Sequence, residues 1–148
     1  MEKKRLILWI AVILTLVFIF GQSLLDKDTS KKQSVAVQEK VVEPVHKAIT
    51  GEDTIHYDIR DLAHTVEFAI LGIELVLLIR NNKQILRWLK SISYGGFVAL
   101  VDETIQSFSG RAPELIDIWH DILGAVLGSV IGITLVLIAN RVRLKEKV

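Results

Sequence analysis

The sequence predicts an all-α fold, a polytopic membrane bundle of four transmembrane helices in a single domain spanning residues 1–148. Three observations carry that expectation. Long apolar runs recur along the chain, basic residues collect on alternate sides of those runs, and acidic and imidazole side chains repeat at helical spacing within them. Hydrophobic residues make up 51% of the chain and mean hydropathy is +0.42, high for a water-soluble domain of this size. The absence of cysteine excludes disulfides, iron–sulfur clusters and Cys-ligated zinc. The net charge of +1, with no basic stripe interleaved with aromatics, argues against nucleic acid as a partner.

Residues 6–25 form the first expected span. Twenty residues without a charge suffice, at about 1.5 Å each, to cross roughly 30 Å of hydrocarbon. Lys3, Lys4 and Arg5 precede the run as they would a signal peptide. The run is long for one, and no small-x-small cleavage site follows closely, so a retained anchor is expected. Residues 26–60 then make an extracytoplasmic loop of mixed Lys, Asp, Ser, Thr, Gln and Glu around an apolar patch at 35–45. It carries no motif, and His46 and His56 read as ordinary solvated residues.

The second span, residues 61–79, is interrupted by His64, Glu67 and Glu74. The third, residues 90–109, has an uncharged stretch of only eleven residues at 91–101, roughly 16 Å as a helix and about half a bilayer. It either crosses by carrying Asp102 and Glu103 with it, or re-enters and turns back. The fourth, residues 115–139, joins an uncharged run to Asp117, His120 and Asp121. Gly124, Gly128 and Gly132 recur every fourth residue, a small-xxx-small face that lets a neighbouring helix, or a second copy in an oligomer, approach closely.

Charge orients the bundle. With four crossings and both termini in the cytoplasm, the inner segments hold eleven of the eighteen Lys and Arg, against Glu2 and Glu146. The outer segments hold seven basic and eight acidic residues. That is the positive-inside pattern, and Trp9, Trp88, Trp119 and Tyr57 fall near span ends as an aromatic belt would.

This orientation gathers the polar residues into one layer. His64 and Glu67 lie roughly 4–9 Å below the outer end of the second span, Asp102 and Glu103 roughly 9–10 Å below that surface, and His120 and Asp121 roughly 8–9 Å. Asp117 stays near the surface, Gln22 and Ser23 close the first span, and Arg111 sits in the short loop above. Spacings of three and four place His64 with Glu67, Asp102 with Gln106 and Asp117 with Asp121 on shared helix faces. A lone carboxylate at mid-span costs about 2.5–3.5 kcal/mol, so the layer must face inward. The expectation is a polar chamber that opens outward. Glu74 lies on the same stripe but roughly 20 Å deep, as a proton carrier or a snorkelling group.

The segments "IRDLAHTVEFAILG" (residues 59–72), "DETIQSFSGRAPELID" (102–117) and "DILGAVLG" (121–128), with "FIFGQS" closing the first span, resemble the VanZ-like family of small bacterial membrane proteins. The resemblance covers nearly the whole chain apart from the outer loop and the C-terminal tail. By it, Arg60, His64, Glu67, Asp102, Glu103, Gln106, Arg111, Asp117 and Asp121 carry over as the family's polar signature. Asp61, Thr65 and the position of Pro113 depart from the usual family pattern and bear on local loop geometry. The resemblance implies a bacterial plasma-membrane protein acting at the outer leaflet. The family's namesake is associated with antibiotic resistance, namely low-level tolerance of teicoplanin, a glycopeptide with a lipid tail.

Two functions fit these residues. In the first, the chamber binds a membrane lipid or a lipid-tailed glycopeptide, with Arg60, His64, Gln106, Arg111, Gln22 and Ser23 as binding groups. The acidic excess then suits a polyol or an amine better than a phosphate. In the second, the chain is an intramembrane enzyme acting on a lipid-linked substrate. Glu67, Asp102, Glu103, Asp117 and Asp121 would be its catalytic carboxylates, and His64, Glu67, Asp117 and His120 would hold a divalent metal as its cofactor.

Overall fold

Two helices begin on side-chain caps that the sequence supplies. Asp26 accepts the backbone N–H groups of Asp28 and Thr29 at 3.1 and 3.0 Å, and Asp58 does the same for Arg60 at 3.1 Å. The bonds from Thr29 hold the Asp26 carboxyl below the usual carboxylate range. The computed structural model describes residues 2–51, 58–79, 83–110 and 115–145. Among these there are α1 (Glu2–Ser23), α2 (Lys27–Val37), α3 (Glu43–Thr50), α4 (Ile59–Leu78), α5 (Gln84–Phe108) and α6 (Leu115–Lys145), with a π-helical stretch, Gln38–Val42, joining α2 to α3. The described residues contain no strand, so the expected all-α class holds.

The 26–60 segment is therefore more ordered than its composition suggests. Residues 27–50 are helical throughout, and α3 ends on Gly51 at φ 76°, a left-handed cap that glycine adopts without strain. α5 shows no re-entrant turn. It is one continuous helix of 25 residues, about 37 Å long, and it carries Asp102 and Glu103 within its last two turns. By length and apolarity, two helices suffice to cross a membrane: α1, at mean hydropathy 2.4, and the Leu115–Val142 part of α6, at 2.6. α4 and α5 are long enough but hold more charge, of which Asp102 and Glu103 on α5 are buried.

The four long helices alternate in direction. Thr15 of α1 meets Glu74 of α4, while Ser23 meets Asp102 of α5, so α1 runs against α4 and alongside α5. Arg60 meets Gln106 and Ser91 meets the carbonyl of Gly72, so α4 and α5 are antiparallel. α4 and α6 run parallel and in register, and theirs is the most extensive interface in the molecule. Lys3, Lys4 and Arg5, then Lys83, Arg87 and Lys90, then Arg141 and Lys145 consequently lie towards one end of the bundle. The carboxylate layer lies towards the other.

Glycine sets the α4–α6 separation. A Cβ added to Gly124 or Gly128 would collide with the carbonyl oxygens of Thr65 and Ala69, and one on Gly72 would come within 2.6 Å of Ala125 O. The Gly124, Gly128 and Gly132 face is thus covered by α4 of the same chain. Of the two neighbours expected at that face, a helix of the same chain is the one seen there. Next to this seam, Ser91 Oγ bonds Ser129 Oγ at 2.8 Å and the Gly72 carbonyl at 3.1 Å.

The distribution of polarity is inverted relative to a water-soluble protein. Asp102 is 0%, Gln106 1%, Asp121 1% and Asp117 2% exposed. Leu6, Leu62, Phe97 and Leu123, one from each long helix, are 49–66% exposed. A small apolar core of Ile19, Phe68, Leu71, Leu75 and Ala99 fills the space below the polar layer. Replacing Gly128 by Ala should therefore force α4 and α6 apart at a cost of about 1–3 kcal/mol. Gly96, whose Cβ would meet nothing within 4 Å, should accept Ala with no loss. Thermal unfolding of the two purified variants checks the contrast; equal midpoints would refute it.

Candidate functional site

Three long helices and one capping residue build the polar layer. On α5, the four-residue spacing of Asp102 and Gln106 puts both on one face, and Gln106 Nε2 donates to Asp102 Oδ2 at 2.7 Å. The hydroxyl of Ser23, at the end of α1, donates to the other oxygen of Asp102. Ser109 in turn donates to the Ser23 carbonyl at 2.9 Å and ties the α1 and α5 ends together. Arg60, in the first turn of α4, reaches across with one terminal nitrogen to Gln106 Oε1 at 2.8 Å and to the buried carboxylate of Asp117.

One turn deeper, His64 Nδ1 lies 3.0 Å from Asp121 Oδ1 and 3.9 Å from Asp102 Oδ2. The expected layer is therefore assembled: Ser23, Arg60, His64, Asp102, Gln106, Asp117 and Asp121 form one connected network. Its cause is the parallel register of α4 and α6, which sets 60 opposite 117 and 64 opposite 121, while antiparallel α5 supplies 102 and 106. Glu103 is also buried, about 100° further round α5 than Asp102. Arg111 lies outside the described residues, as do His56 and Tyr57.

The four proposed metal ligands do not gather. Two separate donor groups form instead: His64 with Asp102 and Asp121, and His120 with Asp61 and Asp117, the donor atoms of each lying within 4.8 Å. Glu67 belongs to neither. His120 turns to the opposite side of the α4–α6 seam from Asp121, where its Nδ1 is 3.5 Å from Asp61 Oδ2. Several of these donors are engaged within the protein, Asp102 by Ser23 and Gln106, and Asp117 by Arg60.

A cavity of about 220 Å³ adjoins the network, between α1, α2 and α4. α1 contributes Phe18, Gln22 and Ser23, and α4 contributes Ile59, Arg60, Ala63, His64 and Glu67. The third wall is α2, with Ser30, Gln33, Ser34 and Val37. Residue-by-residue reading of the loop missed these four. Their spacing of 30, 33, 34 and 37 is the signal, since i, i+3, i+4 and i+7 share one helix face. Glu67 points into the cavity and makes no hydrogen bond or ion pair among the described residues, unlike the other carboxylates of the layer named above. Deep in the bundle, Glu74 Oε1 accepts from Thr15 Oγ1 at 3.1 Å.

The family model described as VanZ/LLP1 matches residues 6–138, a stretch that includes every residue of the network and the cavity. No curated protein and no solved structure matches the chain.

The Arg60–Asp117 pair gives the layer an asymmetric energetic signature. Arg60→Leu strands Asp117, 2% exposed, without its cation, and should cost about 3–5 kcal/mol. Asp117→Leu leaves Arg60, 28% exposed, able to reach water, and should cost less. The double variant should unfold closer to the wild type than Arg60→Leu alone. Thermal unfolding of the three variants tests the order, which strict additivity would overturn.

Proposed function

The chain belongs to the VanZ/LLP1 family, and on that premise we propose a multi-pass plasma-membrane protein whose outward-facing polar chamber acts on a cell-envelope lipid or a lipid-tailed glycopeptide. Both termini lie in the cytoplasm in this reading. One observation carries it: the carboxylates of Asp102, Asp117 and Asp121 are buried, with Arg60 and His64 packed against them, in a bundle whose four long helices all expose large aliphatic side chains. Water would not favour that exterior, and lipid would. Basic residues at the opposite end of the bundle support the orientation by the positive-inside rule. The cavity beside Glu67 offers a place where a head group can meet the network without breaking it.

Teicoplanin and vancomycin susceptibility of a sensitive Gram-positive host tests the reading, with membrane levels matched by immunoblot. The wild type should raise tolerance to teicoplanin and not to vancomycin, and Glu67→Gln should abolish the gain. Unchanged susceptibility with the wild type would remove the antibiotic from the proposal.

A second reading, an intramembrane hydrolase or transferase acting on a lipid-linked substrate, draws on the His64, Asp102 and Asp121 donor group. A divalent ion there would withdraw Asp121 from His64 and supply a Lewis acid. It predicts stoichiometric zinc or manganese in gently purified protein, lost in His64→Gln. Metal-free wild-type protein with intact folding would count against it.

A further inference from the structure

The cavity itself carries information about its occupant. Its polar wall on α2 consists of two hydroxyls and an amide, from Ser30, Ser34 and Gln33, none of which bonds another described side chain. Facing them across the space is Glu67, likewise without a hydrogen-bond or ion-pair partner among the described residues. A carboxylate with two free oxygens accepts from adjacent hydroxyls, while serine hydroxyls and a glutamine amide both donate and accept. That set matches a polyol.

An anionic head group fits less well. The one guanidinium in the lining, that of Arg60, has its charge balanced by Asp117. Glu67 is within the lining, and Asp102 and Asp121 stand behind it on His64. A phosphate entering here would meet the Glu67 carboxylate, while both cations of the lining, Arg60 and His64, are already paired with aspartates. Size narrows the choice further. At about 220 Å³ the cavity is smaller than the roughly 300–1,000 Å³ typical of sites for drug-sized ligands, so it holds one ring and not a whole glycopeptide. Phe18 lines the cavity and is also 55% exposed on the outer surface of α1, beside exposed Leu14 and Val17. An apolar tail attached to the ring therefore has a continuous track along α1.

We propose that the pocket between α1, α2 and α4 binds a single uncharged, hydroxyl-rich glycosyl group carried on an acyl tail, with Glu67 and the Ser30, Gln33 and Ser34 face of α2 as its recognition elements. The proposal rests on the outward-chamber reading and specifies its ligand. It also gives the outer loop a function, since α2 supplies three of the four recognition side chains.

Purified full-length protein in an amine-oxide detergent, free of sugar, is equilibrated separately with a monoglucosyl diacylglycerol, phosphatidylglycerol, phosphatidylcholine or teicoplanin. Retained ligand is read by native mass spectrometry. The glucosyl lipid should be retained about tenfold better than phosphatidylglycerol, and Glu67→Gln and the α2 surface variant Ser34→Val should each weaken that retention severalfold at unchanged unfolding temperature. Retention of the glucosyl lipid identifies the membrane as the source of the glycosyl group, retention of teicoplanin alone identifies the antibiotic, and either supports the proposal. Phosphatidylglycerol retained as well as the sugar ligands overturns the head-group assignment while leaving the lipid-binding chamber standing. No ligand retained above phosphatidylcholine overturns both. Wild-type retention by both variants removes the pocket from the binding site.

Discussion

Burying carboxylate charge in a bundle with an apolar exterior is the constraint from which the rest of the structure follows. Asp102, Asp117 and Asp121 are each at most 2% exposed, and an ionised carboxylate taken out of water costs several kcal/mol unless partners replace its hydration. Each has such partners: Ser23 and Gln106 for Asp102, Arg60 for Asp117, His64 for Asp121. No two members of one helix could provide them all. The layer therefore forces α1, α4, α5 and α6 into one mutual register, and the glycine seam between α4 and α6 is the packing that permits it.

The same constraint separates structural polar groups from available ones. Arg60 and Asp117 neutralise each other, so removing Arg60 strands a buried carboxylate. Glu67 differs because it sits one turn beyond His64 on the cavity side, with polar atoms of α2 across from it and no described partner. The distinction between a carboxylate that holds helices together and one that meets a ligand is made by the direction in which the helix presents it.

α2 changes the meaning of the outer loop. A helix capped by Asp26 three residues after α1 ends cannot wander far from the mouth of the bundle, and its hydroxyl and amide face closes the cavity. Its other side keeps Val35 exposed, and the helix continues through Val41 and Val45, also exposed. The segment thus carries one polar face that lines the cavity and exposed apolar side chains away from it.

Apolar run lengths and the i, i+3 and i+4 pairs determined the four long helices and much of the polar layer, because those features depend on local helix geometry alone. His64, Asp102, Gln106, Asp117 and Asp121 were legible in this way, and Arg60 through the resemblance to the VanZ-like family. Three things were decided only in three dimensions. α5 is continuous, since Asp102 and Glu103 find partners or burial that no short-range pattern could promise. His64 and His120 separate into different donor groups, since residues 120 and 121 point to opposite sides of the seam with α4. The glycine face closes on its own chain, and α2 folds over Glu67, because helix–helix register and the return of a loop depend on contacts between residues far apart in sequence. Spacing along one helix encodes a face; which neighbour covers that face is settled by packing.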